Sequence, residues 1–128
     1  MCIRDRYKGF VYTFDETKDI AWLYLVSDML ITDYSSVMFD YSILNRPMLF
    51  FAYDLEDYKE NLRGFYFDFV NDIPGPISRD TDQLIKDIKE YNEDSWKEKY
   101  KNYHDKFNGI DDGHASQKVI DVIKKVSR

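Results

Sequence analysis

Cysteine is almost absent from this sequence of 128 residues, in which Cys2 stands alone. A single thiol can form neither an internal disulfide nor a zinc site built from several cysteines, and such a composition is what a reducing, intracellular setting permits. Long apolar runs are absent as well, and runs such as 29–31 and 48–52 have only the size of strands. Because a helix needs about 20 apolar residues to span a bilayer, the sequence predicts no transmembrane helix.

An excess of positive charge is also lacking, since 18 Lys and Arg residues face 24 Asp and Glu residues and the formal net charge is −6. Modules that bind nucleic acids usually present a basic stripe that neutralises phosphates. We therefore predict no nucleic-acid partner. A small anionic ligand is not excluded, because one or two cations and a few backbone amides are enough to hold a diphosphate.

The composition and length predict one compact domain or part of one. Hydrophobic residues make up 44% of the chain and aromatic residues 17%, which is enough for one sizeable core. Residues 1–6 fit poorly with the rest of the chain and resemble a translated adapter sequence from library preparation. We expect them to be a non-native leader, residues 7–128 to form the folded part, and the native protein to continue upstream.

The first half of the chain has the pattern of a strand, a capped helix and a second strand. The apolar runs 29–32 and 48–52 are typical of strands buried on both faces of a parallel sheet. Between them, 37–45 repeats apolar residues at helical intervals, and Pro47 favours its end because proline restricts the preceding residue. This order predicts a right-handed βαβ unit and a parallel sheet.

Other segments have less regular patterns. Residues 10–14 are β-prone, and the pattern of 19–27 predicts a short amphipathic helix. Residues 53–76 lack a clean period and predict a long ordered loop. Its anchors would be aromatic: Phe65, Tyr66, Phe67 and Phe69.

Three helices are predicted after residue 76. The first starts near Asp80, with Gln83 three residues later, and the second opens with Ser95 and Glu98 as a capping box. The third begins around Asp112. We expect it to turn its apolar residues inward: Ala115, Val119, Val122, Ile123 and Val126.

Two adjacent serines, Ser35 and Ser36, fall where the first strand ends and the helix begins. In open parallel sheets ligands bind outside the carboxyl ends of the strands, so this turn is a candidate seat for phosphate. Asp40 comes one helical turn after Ser36 and lies on the same helix face. A carboxylate would be repelled by a diphosphate, so we expect it to bind a ligand hydroxyl. The alternative is that these residues are only helix caps.

Arg63 is a further candidate contact for an anion, although an arginine in an acidic loop more often pairs with neighbours such as Glu56, Asp57 or Glu60. The two histidines, His104 and His114, lie in polar segments far from the strand ends in sequence. They have no spacing to another histidine or cysteine that suits a metal. The residues therefore predict no catalytic side chain, no metal site and no cofactor within this chain.

Several short sequence motifs resemble those of a known family. Together these motifs are highly specific, whereas the DYSS motif alone would be weak evidence. They are 27–41 (SDMLITDYSSVMFDY), 46–51 (RPMLFF), 53–55 (YDL), 63–69 (RGFYFDF), 74–76 (PGP) and 111–113 (DDG). From about Asp19 to the last residue, the sequence resembles the CDP-glycerol:poly(glycerophosphate) glycerophosphotransferases, the primases and polymerases of teichoic acid synthesis.

The resemblance implies an α/β fold in which residues 7–128 form the C-terminal portion of a Rossmann-like GT-B nucleotide-binding lobe, with parallel strands followed by C-terminal helices. It also implies that Ser35, Ser36 and Asp40 line the CDP-glycerol site. The essential histidines of the family lie in motifs upstream of this chain, and His104 and His114 do not match them. We therefore expect the chain alone to be inactive.

The implied reaction transfers glycerol phosphate from CDP-glycerol to a lipid-linked poly(glycerol phosphate) acceptor and releases CMP. The implied partners are these two substrates and the missing N-terminal region of the same protein, at the cytoplasmic face of the membrane as a peripheral protein. Two alternatives stay open. One is a GT-B glycosyltransferase that uses a nucleotide sugar, and the other is a noncatalytic nucleotide-binding module.

Overall fold

A computed structural model describes residues 7, 9–14, 17–57 and 67–127. The predicted leader, residues 1–6, and the candidate anion contact Arg63 lie outside these residues. In the part of the chain that is described, no helix is both long enough and apolar enough to cross a membrane.

The centre of the fold is a three-stranded parallel sheet. Strands β1 (Leu30–Thr32), β2 (Met48–Phe51) and β3 (Ile77–Ser78) lie in the order β1-β2-β3. Leu30 pairs with Met48, and Phe50 pairs with Ile77. Because β2 has neighbours on both edges and layers on both faces, its first three residues are fully buried. The predicted parallel βαβ unit is confirmed.

Seven helices or helical turns are described around the sheet, and the longest come after β3. The predicted α/β class, with parallel strands followed by helices, is therefore confirmed. In chain order the helices are α1 (Ala21–Val26), α2 (Val37–Ser42), α3 (Leu55–Asp57), α4 (Phe69–Asp72), α5 (Thr81–Lys89), α6 (Glu93–Phe107) and α7 (Ala115–Val126).

Aromatic side chains join α2 to α6, and others join the sheet to α4. The Phe39 ring lies 5.9 Å from that of Tyr103 and 5.1 Å from that of Phe107, measured between ring centroids. On the sheet, Phe50 meets Phe69 edge-on at 5.6 Å. Such edge and offset contacts add specificity to the burial of large apolar surfaces. The contacts of Phe39 hold α2 against α6, and the contact of Phe50 holds α4 against the sheet.

The segment 53–76 contains short helices as well as turns where it is described. It contains α3 and α4, and it leads into β3, which the sequence did not predict. Of its predicted anchors, Phe69 is buried and Phe67 packs against the core, whereas Phe65 and Tyr66 lie outside the described residues. A strand of two residues after a Pro-rich turn is too short to show a period of two.

Some details of these elements differ from the prediction. Helix α6 starts at Glu93, because the Asn92 side chain accepts the Asp94 N–H at 3.0 Å and caps it. The predicted capping box of Ser95 and Glu98 is therefore wrong. Helix α2 ends at Ser42 rather than residue 45, since 43–45 form a tight turn. Residues 10–14 form no strand.

Helix α7 exists as predicted, but its apolar face is not buried against the described residues. Val119 is 58% exposed and Val126 is 80% exposed, and no residue of the helix is buried. The expectation that this face points into the core is wrong here. An amphipathic pattern identifies the apolar face of a helix but does not identify what covers it.

Gly75 offers a test of the contact between the Pro-rich turn and the sheet. A Cβ at this position would lie 2.0 Å from the carbonyl oxygen of Met48, so Gly75→Ala must displace backbone beside the central strand. We expect a loss of about 2 kcal/mol in the free energy of unfolding, measured by urea denaturation and circular dichroism. Gly113→Ala, at a φ of +79° but with nothing within 4 Å, serves as control and should lose less. Equal stability of Gly75→Ala and the parent chain would contradict the close approach.

Candidate functional site

The turn between β1 and α2 lies at the carboxyl edge of the sheet. Strand β1 ends at Thr32, α2 begins at Val37, and Ser36 occupies the N-cap position with φ −60° and ψ −13°. In open α/β sheets the carboxyl edge is where ligands bind, because the loops there are free to vary on a rigid base. The predicted serine pair thus stands at that edge.

Four hydrogen-bond donors of this turn are available within the part of the chain that the structure describes. Ser35 and Ser36 are both exposed, and neither hydroxyl forms a hydrogen bond with a described residue. The backbone N–H groups of Ser36 and Val37 also have no acceptor among those residues. The alternative interpretation as a helix cap does not hold for Ser36, whose side chain makes no cap hydrogen bond.

Asp33 shapes the same turn. One of its carboxylate oxygens accepts the Ser35 N–H at 2.8 Å. This is an Asx-turn, in which an aspartate side chain accepts a hydrogen bond from the backbone N–H two residues later. The bond fixes the approach of the chain to Ser36. It also occupies the Ser35 amide and leaves a negative charge beside the serines, so an anion bound here needs the hydroxyls and the next amides along the chain.

Asp40 is exposed on α2 and lies near α1. Burial raises the pKa of Tyr24, a residue of α1, and the negative charges of Asp40 and Asp19 raise it further. The Tyr24 hydroxyl is enclosed and has no hydrogen-bond partner among the described residues. The structure therefore brings Ser35, Ser36 and Asp40 together on one turn and the helix after it, with Asp40 on the side of α1.

The ends of β2 and β3 add groups that the sequence did not single out. The Tyr34 hydroxyl donates to Asp54 at 2.9 Å, and burial together with this bond raises the pKa of Tyr34. After β3, Arg79 forms an ion pair with Glu56 at 3.0 Å, and its charge acts on the pKa of Tyr34 in the opposite direction. Arg79 is thus a cation at the carboxyl edge. No sequence signal marked it, because β3 itself was not predicted.

Arg46 fixes α1 against the strand that comes after α2. Its guanidinium donates to the carbonyls of Tyr24 at 3.1 Å, Leu25 at 2.9 Å and Ser27 at 2.7 Å. The carbonyls at the end of a helix have no partners within the helix, and a cation there is favoured by the helix dipole. Arg46 therefore caps α1 and is not available as a ligand contact.

His104 lies away from the serine turn. His104 lines a cavity of about 630 Å³ together with Asn45 and Pro47, which precede β2 and so mark the amino end of the sheet. His114 is exposed before α7. The described residues hold no group of three His, Cys, Asp or Glu side chains that could bind a metal ion. The described edge therefore combines unengaged hydrogen-bond donors at the serine turn with several carboxylates nearby.

Comparison with known sequences gives a family match over nearly the whole chain. The sequence model of the CDP-Glycerol:Poly(glycerophosphate) glycerophosphotransferase family matches residues 2–125. The chain is 46% identical over 121 residues to a teichoic acid poly(glycerol phosphate) polymerase of Bacillus subtilis, covering 93% of this chain and 16% of the relative. It is also 44% identical over 128 residues to a teichoic acid poly(ribitol-phosphate) polymerase of Bacillus spizizenii, covering 92% and 19%.

The fold matches a solved structure of the wall teichoic acid polymerase TagF, a histidine variant soaked with CDPG. The TM-score is 0.83 at 43% identity, over 97% of this chain and 31% of that chain. The predicted place of the chain in a Rossmann-like GT-B lobe is confirmed by this match. The chain spans less than a third of the length of the relatives described here. It belongs to the CDP-glycerol:poly(glycerophosphate) glycerophosphotransferase family.

Proposed function

We propose that this chain is the donor-binding part of an enzyme that transfers glycerol phosphate from CDP-glycerol to a growing poly(glycerol phosphate) chain. Membership of the family supports the reaction class. The observation that carries the proposal is the exposed Ser35–Ser36 turn, whose hydroxyls are not engaged by any described residue. Its place at the carboxyl edge of a parallel sheet is where a nucleotide is expected to bind.

In this proposal the diphosphate of CDP-glycerol is held by the hydroxyls of Ser35 and Ser36 and by the amides of Ser36 and Val37. Helix α2 has only six residues, so short-range hydrogen bonds rather than the helix dipole supply the attraction. Asp33 and Asp40 would repel phosphate oxygens. Asp40 therefore accepts a hydrogen bond from a hydroxyl of the ribose or the glycerol.

The reaction is a displacement at phosphorus. The terminal hydroxyl of the acceptor attacks the phosphorus that bears glycerol, the bond to the bridging oxygen breaks, and CMP leaves with the electron pair. Donors placed around the diphosphate stabilise the charge that grows on the leaving group. A base must take the proton of the attacking hydroxyl. His104 lies at the opposite end of the sheet, so we place this base outside the chain and expect the chain alone to bind donor without releasing CMP.

The acceptor and the cellular location are assigned from membership of the family. The acceptor is a lipid-linked poly(glycerol phosphate), and we assign its binding to the N-terminal region of the same protein. The whole protein would then act as a peripheral protein at the cytoplasmic face of the membrane.

A second donor is favoured by one comparison, since a poly(ribitol-phosphate) polymerase is 44% identical to this chain. CDP-ribitol shares the cytidine and diphosphate of CDP-glycerol and differs in the length of the polyol. The turn at Ser35 and Ser36 would bind both diphosphates alike. Calorimetric titration with CDP-glycerol and CDP-ribitol distinguishes them, and we expect tighter binding of CDP-glycerol.

The serine turn can be tested by replacing Ser36 with alanine. We expect Ser36→Ala to weaken CDP-glycerol binding about tenfold, because it removes a hydrogen bond to a charged group. Isothermal titration calorimetry on the chain measures the dissociation constant, with Ser95→Ala, at an exposed serine in the first turn of α6, as control. Unchanged affinity in Ser36→Ala, or equal affinity of the parent chain for CDP-glycerol and a UDP-sugar, would contradict the proposed site. The second result would support the glycosyltransferase alternative.

Arg63 can be compared with Arg79, which provides a matched loss of one positive charge. We propose that Arg63 contacts the diphosphate, whereas the charge of Arg79 is paired with Glu56 at 3.0 Å. Arg63→Ala should therefore weaken CDP-glycerol binding about fivefold or more, and Arg79→Ala less than about twofold. The affinity lost in Arg63→Ala should shrink as salt is raised. The reverse order of the two variants would assign the anion contact to Arg79 instead.

A further inference from the structure

A buried polar pair lies beneath the helix that carries the proposed site. Ser42 at the end of α2 is 1% exposed, and Asn108 at the end of α6 is 5% exposed. The Ser42 hydroxyl lies 2.6 Å from the side-chain oxygen of Asn108, although the two residues are 66 positions apart. Buried polar groups are costly unless they are hydrogen-bonded. The polar atoms of Ser42 and Asn108 therefore need hydrogen-bond partners, either each other or nearby backbone groups.

The pair holds the carbonyl of Phe39. At the end of α2 the Ile43 N–H donates to the carbonyl of Asp40 at 3.4 Å, so the helix tightens and does not use the Phe39 carbonyl in that turn. The side-chain amide of Asn108 donates to this carbonyl at 3.1 Å instead. The Ser42 hydroxyl lies 2.7 Å from the same oxygen, within reach of either acceptor with its one proton.

The peptide group that Asn108 holds is the one that joins Phe39 to Asp40. Its plane sets the direction of the Asp40 backbone and so the path of the Asp40 side chain out of the helix. Phe39 faces the core and Asp40 faces outward, so a rotation of this peptide would move both. The hydrogen bond from Asn108 to the Phe39 carbonyl, 69 positions away, thus meets the peptide next to the residue that we assign to the donor hydroxyl.

The segment after α6 fixes Asn108 in turn. Its side-chain amide also lies 3.3 Å from a carboxylate oxygen of Asp111, whose own N–H donates to the Asn108 carbonyl at 2.8 Å. Gly109 permits this path, since a Cβ there would lie 2.6 Å from the carbonyl oxygen of Asp105. Asp111, the first residue of the DDG motif, thus supports Asn108.

We propose that Asn108 is a positioning residue for donor binding, which acts by fixing the peptide between Phe39 and Asp40. The proposal rests on the proposed function, because it takes Asp40 as a contact of CDP-glycerol. Two hydrogen-bonded buried polar groups add little net stability compared with an apolar pair of the same shape. The role of the pair is therefore better measured by binding than by unfolding.

The test compares Asn108→Ala with Tyr100→Phe. The hydroxyl of Tyr100, also on α6, accepts a hydrogen bond from the Met48 N–H of β2 at the amino end of the sheet. Both variants lose a buried hydrogen bond to a backbone group, and Asn108→Ala also loses the contacts with Ser42 and Asp111. Only Asn108 lies under Asp40. We expect Asn108→Ala to weaken CDP-glycerol binding about fivefold and Tyr100→Phe to leave it unchanged, by calorimetry at a temperature where both are folded.

A double-mutant cycle shows whether Asn108 acts through Asp40. In an Asp40→Asn background, Asn108→Ala should cause no further loss of affinity, since coupled residues are not additive. Without ligand, the carbonyl carbon resonance of Phe39 in NMR spectra should shift in Asn108→Ala and stay in place in Tyr100→Phe. Both results are required by the proposal.

The outcomes separate the two levels of inference. If the parent chain binds CDP-glycerol and Asn108→Ala binds it equally well, or if the two substitutions are additive, the positioning role is overturned and the proposed function stands. If the parent chain does not bind CDP-glycerol, the proposed function fails, and the positioning role fails with it. A loss of affinity in Tyr100→Phe as large as in Asn108→Ala would show that the loss in both variants comes from general destabilisation of the fold. That result would overturn the proposal.

Discussion

Helix α2 has only six residues, yet it must pack against the core on one side and face solvent on the other. The contacts of the neighbouring elements depend on this constraint. Its inner side buries Met38 and Tyr41 against the sheet and α6, while its outer side exposes Asp40. A helix this short gains little stability from its own hydrogen bonds, so its position comes from packing. The aromatic contacts of Phe39 and the bond from Asn108 supply that position. The donors of the serine turn are consequently presented by a rigid support.

The charges at the carboxyl edge limit which anions the proposed site would bind. Asp33, Asp54 and Glu56 gather there, and Arg79, the cation described near them, is already paired with Glu56. A free phosphate drawn only by long-range charge would therefore find little attraction. A ligand that also offers hydroxyls to carboxylates would fit better, and a diphosphate linked to ribose and a polyol has both kinds of group.

The parts of the fold that could be predicted are those in which a local sequence pattern is sufficient to specify a strand or the start of a helix. Strands β1 and β2 are continuous apolar runs, and α5 begins where Asp80 accepts the Gln83 N–H at 2.8 Å, as the spacing of the two residues predicts. The predicted start of α6 is wrong because Ser95 also resembles a cap, and only the fold shows that Asn92 takes that position. Strand β3 has two residues and exists because β2 offers an open edge.

The candidate site divides in the same way. The serine pair and Asp40 could be found from the sequence because they share one strand end and one helix turn. The spacing of Asp33 and Ser35 also carried a signal for their hydrogen bond, since aspartate often accepts from the amide two residues later. Arg79 and Asn108 carried none, because the contact of each joins segments that are distant in sequence.

Helix α7 is held less firmly than the sheet. Its 12 residues make ordinary intrahelical bonds, yet its apolar side meets no buried partner among the described residues. Isolated helices of this length are marginal in water, and protection of backbone amides depends on local packing. The last stretch of the isolated chain would then open and close many times while the sheet stays intact, so the order of melting runs from the C-terminal helix inward.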